Sequence, residues 1–309
     1  MSKSCFEPFR VGMMRYKKKI YLLIVVYLAL LFTSIPLADA KTGNSFIWSF
    51  KSGDNTVYLL GSIHVLNKES YPLPEEIENI YNCCRRIVFE TDLDSMNDSS
   101  MQGKMLRRGM YPKGQTLSGN ISSETYEMLR TKLETSGLSI LQFDQFRPWM
   151  VALTITGSEM IRLGFDPQLG LDRRYFEMAK KDSKKLLFLE SNEFQINLFA
   201  GLGRSKQEAL LRQVLIEIKI IESMFADMVK AWESGSAEKL NSIMKESFRE
   251  FPDLHDRFIT KRNRSWIAKI LNMARQKGDL LVVVGAAHLV GEKSVVDLLR
   301  QKGYEVKQN

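Results

Sequence analysis

One motif, written twice, constrains this chain more than anything else in it. "VYLLGSIH" (Val57 to His64) and "LVVVGAAH" (Leu281 to His288) each run an apolar stretch into glycine and place a histidine three positions later. The copies lie 224 residues apart in a chain of 309 residues that has only three histidines. An apolar run of this length ending at glycine reads as a strand buried on both faces of a sheet. In an α/β sheet, the loops leaving the carboxyl ends of the strands line the ligand crevice. Two such strands set near each other would therefore deliver two imidazoles to one place. Gly61 and Gly285, lacking a Cβ, are expected to let the chain turn sharply there.

Around the two motifs, periodicity predicts strands at both ends of the chain and helices between. Ser45 to Ser52 and Thr56 to Ile63 read as a hairpin across Asp54-Asn55. Pro74, Glu75 and Glu76 suit a helix's first turn, and Arg86 to Glu90 is a third strand, reached by a parallel crossover. From about 94 to 278 helical spacing dominates, with "KLLFLE" (Lys185 to Glu190) the one strand inside it. The clearest helix starts at a Ser205–Glu208 capping box and carries one apolar face from Leu211 to Trp232. Asp279 to Gly285 is a strand, Glu292 to Lys302 a helix and Tyr304 to Lys307 a last strand. No linker rich in Pro, Gly or Ser divides the chain. The expectation is one α/β domain over residues 41–309, a mixed sheet built from both ends of the chain with a large, mainly helical insertion or lid at 94–278.

Residues 1–40 read as a secretory signal. Arg15, Lys17, Lys18 and Lys19 precede the apolar run Ile20 to Phe32, and Ala38-Asp39-Ala40 supplies small residues for cleavage before Lys41. Thirteen apolar residues are short against the roughly 20 that span a bilayer. The expectation is thus an exported protein, periplasmic in location, that meets the membrane only through this segment, an uncleaved anchor being the rival. The segment holds six basic and two acidic residues, so its removal takes about half of the net +8. Nucleic-acid binding loses its support, because clusters such as Lys261 to Arg264 lack the interleaving such modules use. Cys5 leaves with the signal, and the vicinal Cys83-Cys84 cannot staple distant segments. Cys84 keeps helical register with Leu73, Ile77 and Ile80, as a buried small hydrophobe would.

Imidazole is both the commonest transition-metal ligand and the commonest general base near neutral pH. Two of them need a carboxylate to complete a divalent-metal site. Glu90 ends the strand in "VFETDLD", Asp92 follows on the same face, and Glu190 ends "LLFLE" in the same manner. A lone histidine after a strand is often only a hydrogen-bonded structural residue, and acids there are common in turns. The duplicated context sets His64 and His288 apart from that pattern. His255, in "PDLHDRF", lacks the context and reads as a surface residue.

These residues carry a resemblance. "LLGSIHVL" and "VVVGAAHLVGEKSVVDLLRQKGYEV" resemble the paired Gly-x-x-His signatures of the TraB/GumN family, which is similar to the Tiki metalloproteases. "IVFETDLD", "GLDRRYFEMAKK", "LLFLESNEFQ" and "KRNRSWIAKI" resemble that family's acidic strand end, its two central segments and its Arg-Asn helix. The match covers most of residues 45–307. The resemblance implies a metal-dependent hydrolase, with Mn(II) or Co(II) and peptide-bond cleavage suggested by the Tiki relatives. It makes His64, Glu90 and His288 the metal site, with Arg262 and Asn263 close by. Glu190 or Asp92 would then be the base, Arg262 the stabiliser of developing negative charge and Asn263 the group that orients substrate, whether peptide or small molecule. No His-Glu-x-x-His motif is present. Two other readings stay open: an exported protein that captures a metal or haem without turnover, and a metal-free esterase with a histidine base.

Overall fold

A computed structural model describes residues 45–309, and the signal segment expected over residues 1–40 lies outside them. Among the described residues, no helix is long and apolar enough to cross a membrane. Strands β1 (Ile47–Ser52) and β2 (Asn55–Ser62) form the expected hairpin, followed by α1 (Glu75–Cys83) and β3 (Arg86–Phe89). Helices α2 (Leu93–Asn97), α3 (Ser99–Gly109), α4 (Ser123–Thr135), α5 (Pro148–Arg162) and α6 (Leu171–Lys181) then lead to β4 (Lys185–Phe188). Next come α7 (Asn192–Ala200), α8 (Arg204–Glu217), α9 (Ile221–Glu233), α10 (Ala237–Ser247) and α11 (Pro252–His255). A single π-helical turn, Asp256–Thr260, joins α11 to α12 (Lys261–Ala274). Finally β5 (Leu280–Gly285), α13 (Val295–Gln301) and a two-residue β6 (Lys307–Gln308) close the chain.

The sheet is mixed and draws on both ends of the chain, in the order β4-β3-β5-β2-β1-β6. β4, β3, β5 and β2 run parallel, whereas β1 pairs antiparallel with β2 and with β6. β5 lies between β3 and β2, so Ser62 pairs with Gly285 and Phe89 with Val283. All six residues of β5 and all four of β3 are buried. That two-sided burial is why these strands read as unbroken apolar runs rather than alternating ones.

Two apolar cores hold the fold. One covers the sheet and includes Leu59, Leu60, Val282, Phe176 and Trp266. The other lies among the helices and gathers Leu117, Leu129, Val151, Leu211 and Leu215. Each such side chain contributes about 1.5–3 kcal/mol by leaving water. The long helix expected from Ser205 to Trp232 is two helices, and the cores explain the break. Leu211, Leu215, Ile218 and Ile221 belong to the helical core, whereas Val229 and Trp232 belong to the sheet core. The chain changes direction between Glu217 and Ile221 to serve both, and Trp232 Nε1 donates to the carbonyl of Gly61 at 2.7 Å. The expected capping box is absent too. Gly203 caps α8, and Glu208 instead accepts from Ser122 N at 2.7 Å and Thr125 Oγ1 at 2.9 Å, at the start of α4. Cys84 is fully buried, as expected of a small hydrophobe, and that burial pushes its thiol up to about 12.

Candidate functional site

Four neighbouring strand ends carry the histidines and glutamates singled out above. Pairing of β3 with β4 continues past the strands, Glu190 N donating to Glu90 O at 2.8 Å, so the two glutamates stand side by side. On the other flank of β3, Gly285 N donates to Glu90 Oε1 at 2.8 Å. A Cβ placed on Gly285 would stand 3.3 Å from Glu90 Oε1, 3.6 Å from His64 Nε2 and 3.6 Å from His288 Cδ2. No two of those three atoms can be farther apart than twice 3.6 Å. Neither Gly61 nor Gly285 has the left-handed backbone of a sharp turn. Glycine is needed at 285 for room: it leaves bare the point on which the three side chains converge.

Each imidazole has an acceptor facing its Nδ1. His64, 63% exposed at its side chain, lies 3.0 Å through Nδ1 from Asp172 Oδ1. Asp172 reaches it because α6 begins against the backbone of His64: Leu171 N donates to Ile63 O at 3.1 Å, and a Cβ on Gly170 would overlap the carbonyl of His64. The Asp172 carboxylate raises the His64 pKa to about 9. His288 is 3% exposed, in the short turn after β5. Its Nε2 lies 3.0 Å from Arg262 Nη1, and a guanidinium can only donate. Nε2 therefore accepts, and Nδ1–H donates to Asn263 Oδ1 at 2.6 Å. The Asn263 amide is itself fixed by donating to Lys293 O at 2.9 Å. Burial pushes the His288 pKa down to about 3, so this imidazole is neutral.

Arg262 ties the acids together. It is 8% exposed, although the sequence around it reads as a solvated helix face. Nη2 donates to Glu90 Oε2 at 2.5 Å and Glu190 Oε2 at 2.9 Å, and Nε to Glu190 Oε1 at 3.0 Å. The π-helical turn just before α12 leaves the Phe258 carbonyl within 3.2 Å of Nη1. Burial alone would raise the Glu90 pKa, but Arg262, then the two histidines and the Gly285 N–H, hold it down at about 2. Glu190 also accepts from Trp266 Nε1 at 2.8 Å. Gln195 Nε2 bridges the two carboxylates, 3.3 Å from each.

A cavity of about 400 Å³ opens beside His64, lined by Ser62, Glu90, Asp172 and Gln195 among polar groups and by Leu93 and Met96 among apolar ones. Glu190 and Arg262 line a different cavity, of about 500 Å³, together with Lys261 and Lys269. Asp92 is placed otherwise than expected for a base: it caps α2, accepting from Asp94 N at 3.0 Å and Ser95 Oγ at 2.5 Å. His255 is half-buried rather than on the surface, its ring packed on Phe248 with centroids 5.3 Å apart. Sequence reasoning gave no role to Asp172 or Gln195. Their only signal was that "GLDRR" and "LESNEFQ" fell in resembling segments.

The donor set suits a divalent ion in kind: two imidazoles and a carboxylate meet, the Nδ1 of His288 is hydrogen-bonded to Asn263, and that of His64 stands 3.0 Å from the Asp172 carboxylate, acceptors of the sort found around metal-bound histidines. The present spacing is that of a site held together by Arg262, which occupies the Nε2 lone pair of His288. Among the described residues, no three His, Cys, Asp or Glu side chains stand close enough to hold an ion as they are.

Comparison with known proteins agrees with this architecture. An uncharacterized protein of Escherichia coli K12, YbaP, is 26% identical over 275 residues, covering 88% of this chain and 99% of its own. The metalloprotease TIKI homolog of Amphimedon queenslandica is 23% identical, over 93% of this chain and 67% of its own, and metalloprotease TIKI2 of Danio rerio is 24% identical, over 86% and 61%. No solved structure matches. The model of the TraB/PrgY/gumN family matches residues 46–308, from the first strand to the last, and the chain belongs to that family.

Proposed function

We propose that this chain is an exported, metal-dependent hydrolase that cuts peptide bonds in the cavity beside His64. The observation that carries the reading is the convergence of His64 Nε2, Glu90 Oε1 and the His288 ring on the bare Cα of Gly285. The distant relatives named as metalloproteases support it, as does the signal-like segment at residues 1–40. His64, His288 and Glu90 are the residues that would hold the ion, and a divalent ion bound there supplies a water of lowered pKa and a polarised carbonyl.

The chain's own groups have separable tasks. Asp172 holds the Nδ1 side of His64, which presents Nε2 to the cavity. Asn263 holds the Nδ1 of His288, whose Nε2 faces Arg262. Arg262 holds the Glu90 pKa well below the usual carboxylate range, so near neutral pH its carboxylate is ionised and offers an acceptor. Gln195 holds Glu90 and Glu190 in register through its amide. Bonded to both carboxylates, to the Phe258 carbonyl and to His288, the Arg262 guanidinium fixes the acids beside the cavity instead of facing it.

The test is turnover of a quenched-fluorescent peptide library by purified chain, first stripped with a chelator and then given Mn(II) or Co(II). Cleavage should vanish on stripping and return with the ion. Cleavage untouched by the chelator, or absent with either ion, contradicts the proposal.

A further inference from the structure

Helix α2 stands in the wall of the His64 cavity without a core of its own. None of its five residues is buried, and Asp92 holds its first turn through Asp94 N and Ser95 Oγ. Leu93 and Met96 lie three positions apart, on one face of the helix, and that face lines the cavity. Leu93 also packs on the margin of the sheet core, whereas Met96 belongs to neither apolar core. A helix in a folded chain usually turns its apolar stripe toward the interior. Here the stripe is turned to the space that adjoins His64, where it leaves water only when something bound covers it.

The rest of the lining fits an uncharged, apolar occupant. Phe89, Pro167 and Val283 add apolar surface. A carboxylate brought there would meet Glu90 and Asp172 against a single cation, Arg173, which Glu177 already holds at 2.8 Å. An ammonium or guanidinium would find both acids engaged, Glu90 by Arg262 and Asp172 by His64 at 3.0 Å. Neither sign of charge is matched. At about 400 Å³ the cavity is near the small end of ligand sites, which suits one side chain and the backbone around it. Methionine is unbranched and fills irregular gaps, so the wall it makes accepts several apolar shapes.

Resting on the hydrolase reading for what enters the cavity, we propose that Leu93 and Met96 select an apolar side chain beside the bond that is cut, with Met96 the residue that sets the preference. The substrate class is then a peptide with leucine, methionine or a residue of like shape next to its scissile bond. Met96 and His64 line one small cavity, so the selected side chain belongs within a residue or so of the reacting carbonyl.

Binding separates this inference from the hydrolase reading. The probes are N-terminally labelled Ala-X-Ala-amides with leucine, methionine, serine, aspartate or lysine at X. Affinity for the full chain is read by fluorescence anisotropy, and cleavage with Mn(II) or Co(II) is followed in parallel by mass spectrometry. The leucine and methionine peptides should bind about tenfold or more tightly than the other three, the discrimination an apolar pocket gives for a side chain that fills it. Met96→Ser should cut the leucine-to-serine ratio by about threefold or more. It should leave Tm unchanged, because Met96 supports neither core. Met96→Leu should keep the ratio, and Met96→Lys should move the preference toward aspartate. Equal wild-type affinities, a preference for aspartate or lysine, no measurable binding of the two apolar peptides, or a leucine-to-serine ratio that Met96→Ser leaves unchanged would each overturn the inference. Apolar-selective binding without cleavage sinks the hydrolase reading and leaves the subsite standing; cleavage without apolar preference does the reverse.

Discussion

Asp172 and Asn263 perform one task on two imidazoles, yet with opposite electrical results. Asp172 is charged and pulls the exposed His64 up to about 9, whereas Asn263 is neutral and leaves the buried His288 at about 3. Asp172→Asn should therefore return the His64 pKa toward 6.5, read by NMR titration of its ring protons, and lower kcat/KM by about 10–100-fold, as the loss of an orienting partner typically does. A ring pKa that stays near 9 would show that the carboxylate is not the cause. Glu90 gives a second prediction. Its pKa falls from 4.5 unfolded to about 2 folded, so its contribution to stability is fully present above pH 4.5 and is lost as pH falls toward 2. Denaturation midpoints taken at pH 6, 4.5 and 3 should drop more steeply for wild type than for Glu90→Gln; parallel slopes would contradict this. At this scale the sequence was legible only where a residue type is rare. His64 and His288 stood out among three histidines, whereas Asp172 sits in a helix's first turn, where acids are ordinary. Arg262 resembled a solvated charge because the two acids that bury it lie 172 and 72 residues away.

Two glycines turn strands and a helix into a site. Gly170 lets the start of α6 lie against the carbonyl of His64, and Gly285 leaves open the point where His64, Glu90 and His288 meet. Alanine should separate the two roles. At 170 the new methyl overlaps backbone, so α6 must shift, at a cost of about 1–3 kcal/mol visible as a lowered Tm. At 285 the backbone suits alanine and the nearest atom, Glu90 Oε1, is 3.3 Å away, a tight contact that side chains alone must absorb, so Tm should fall less than at 170 while hydrolysis is lost. An active Gly285→Ala enzyme would mean that the bare space has no part in catalysis. The strands were readable because parallel central strands are apolar throughout. The break between α8 and α9 was not, because an apolar face continues through it in sequence while its two halves turn to different cores.

In the whole molecule, the decisive feature is the placement of β5 between β3 and β2. A strand from the far end of the chain is inserted between two from its beginning, so residues 224 apart become neighbours at the carboxyl ends of the central strands. The duplicated motif pointed to this, since both copies needed central strands with their carboxyl ends on the same side. The helical core built from α4, α5, α8 and their neighbours left no comparable mark, because its packing depends on contacts that no local motif announces. The central claim is that the two distant histidines act as one ion-holding site. Calorimetric titration of Mn(II) into wild type, His64→Ala and His288→Ala, each checked for native circular dichroism, tests it most directly. The account predicts one ion bound by wild type and an affinity at least about 100-fold weaker in both variants; equal affinity in all three folded proteins would contradict it.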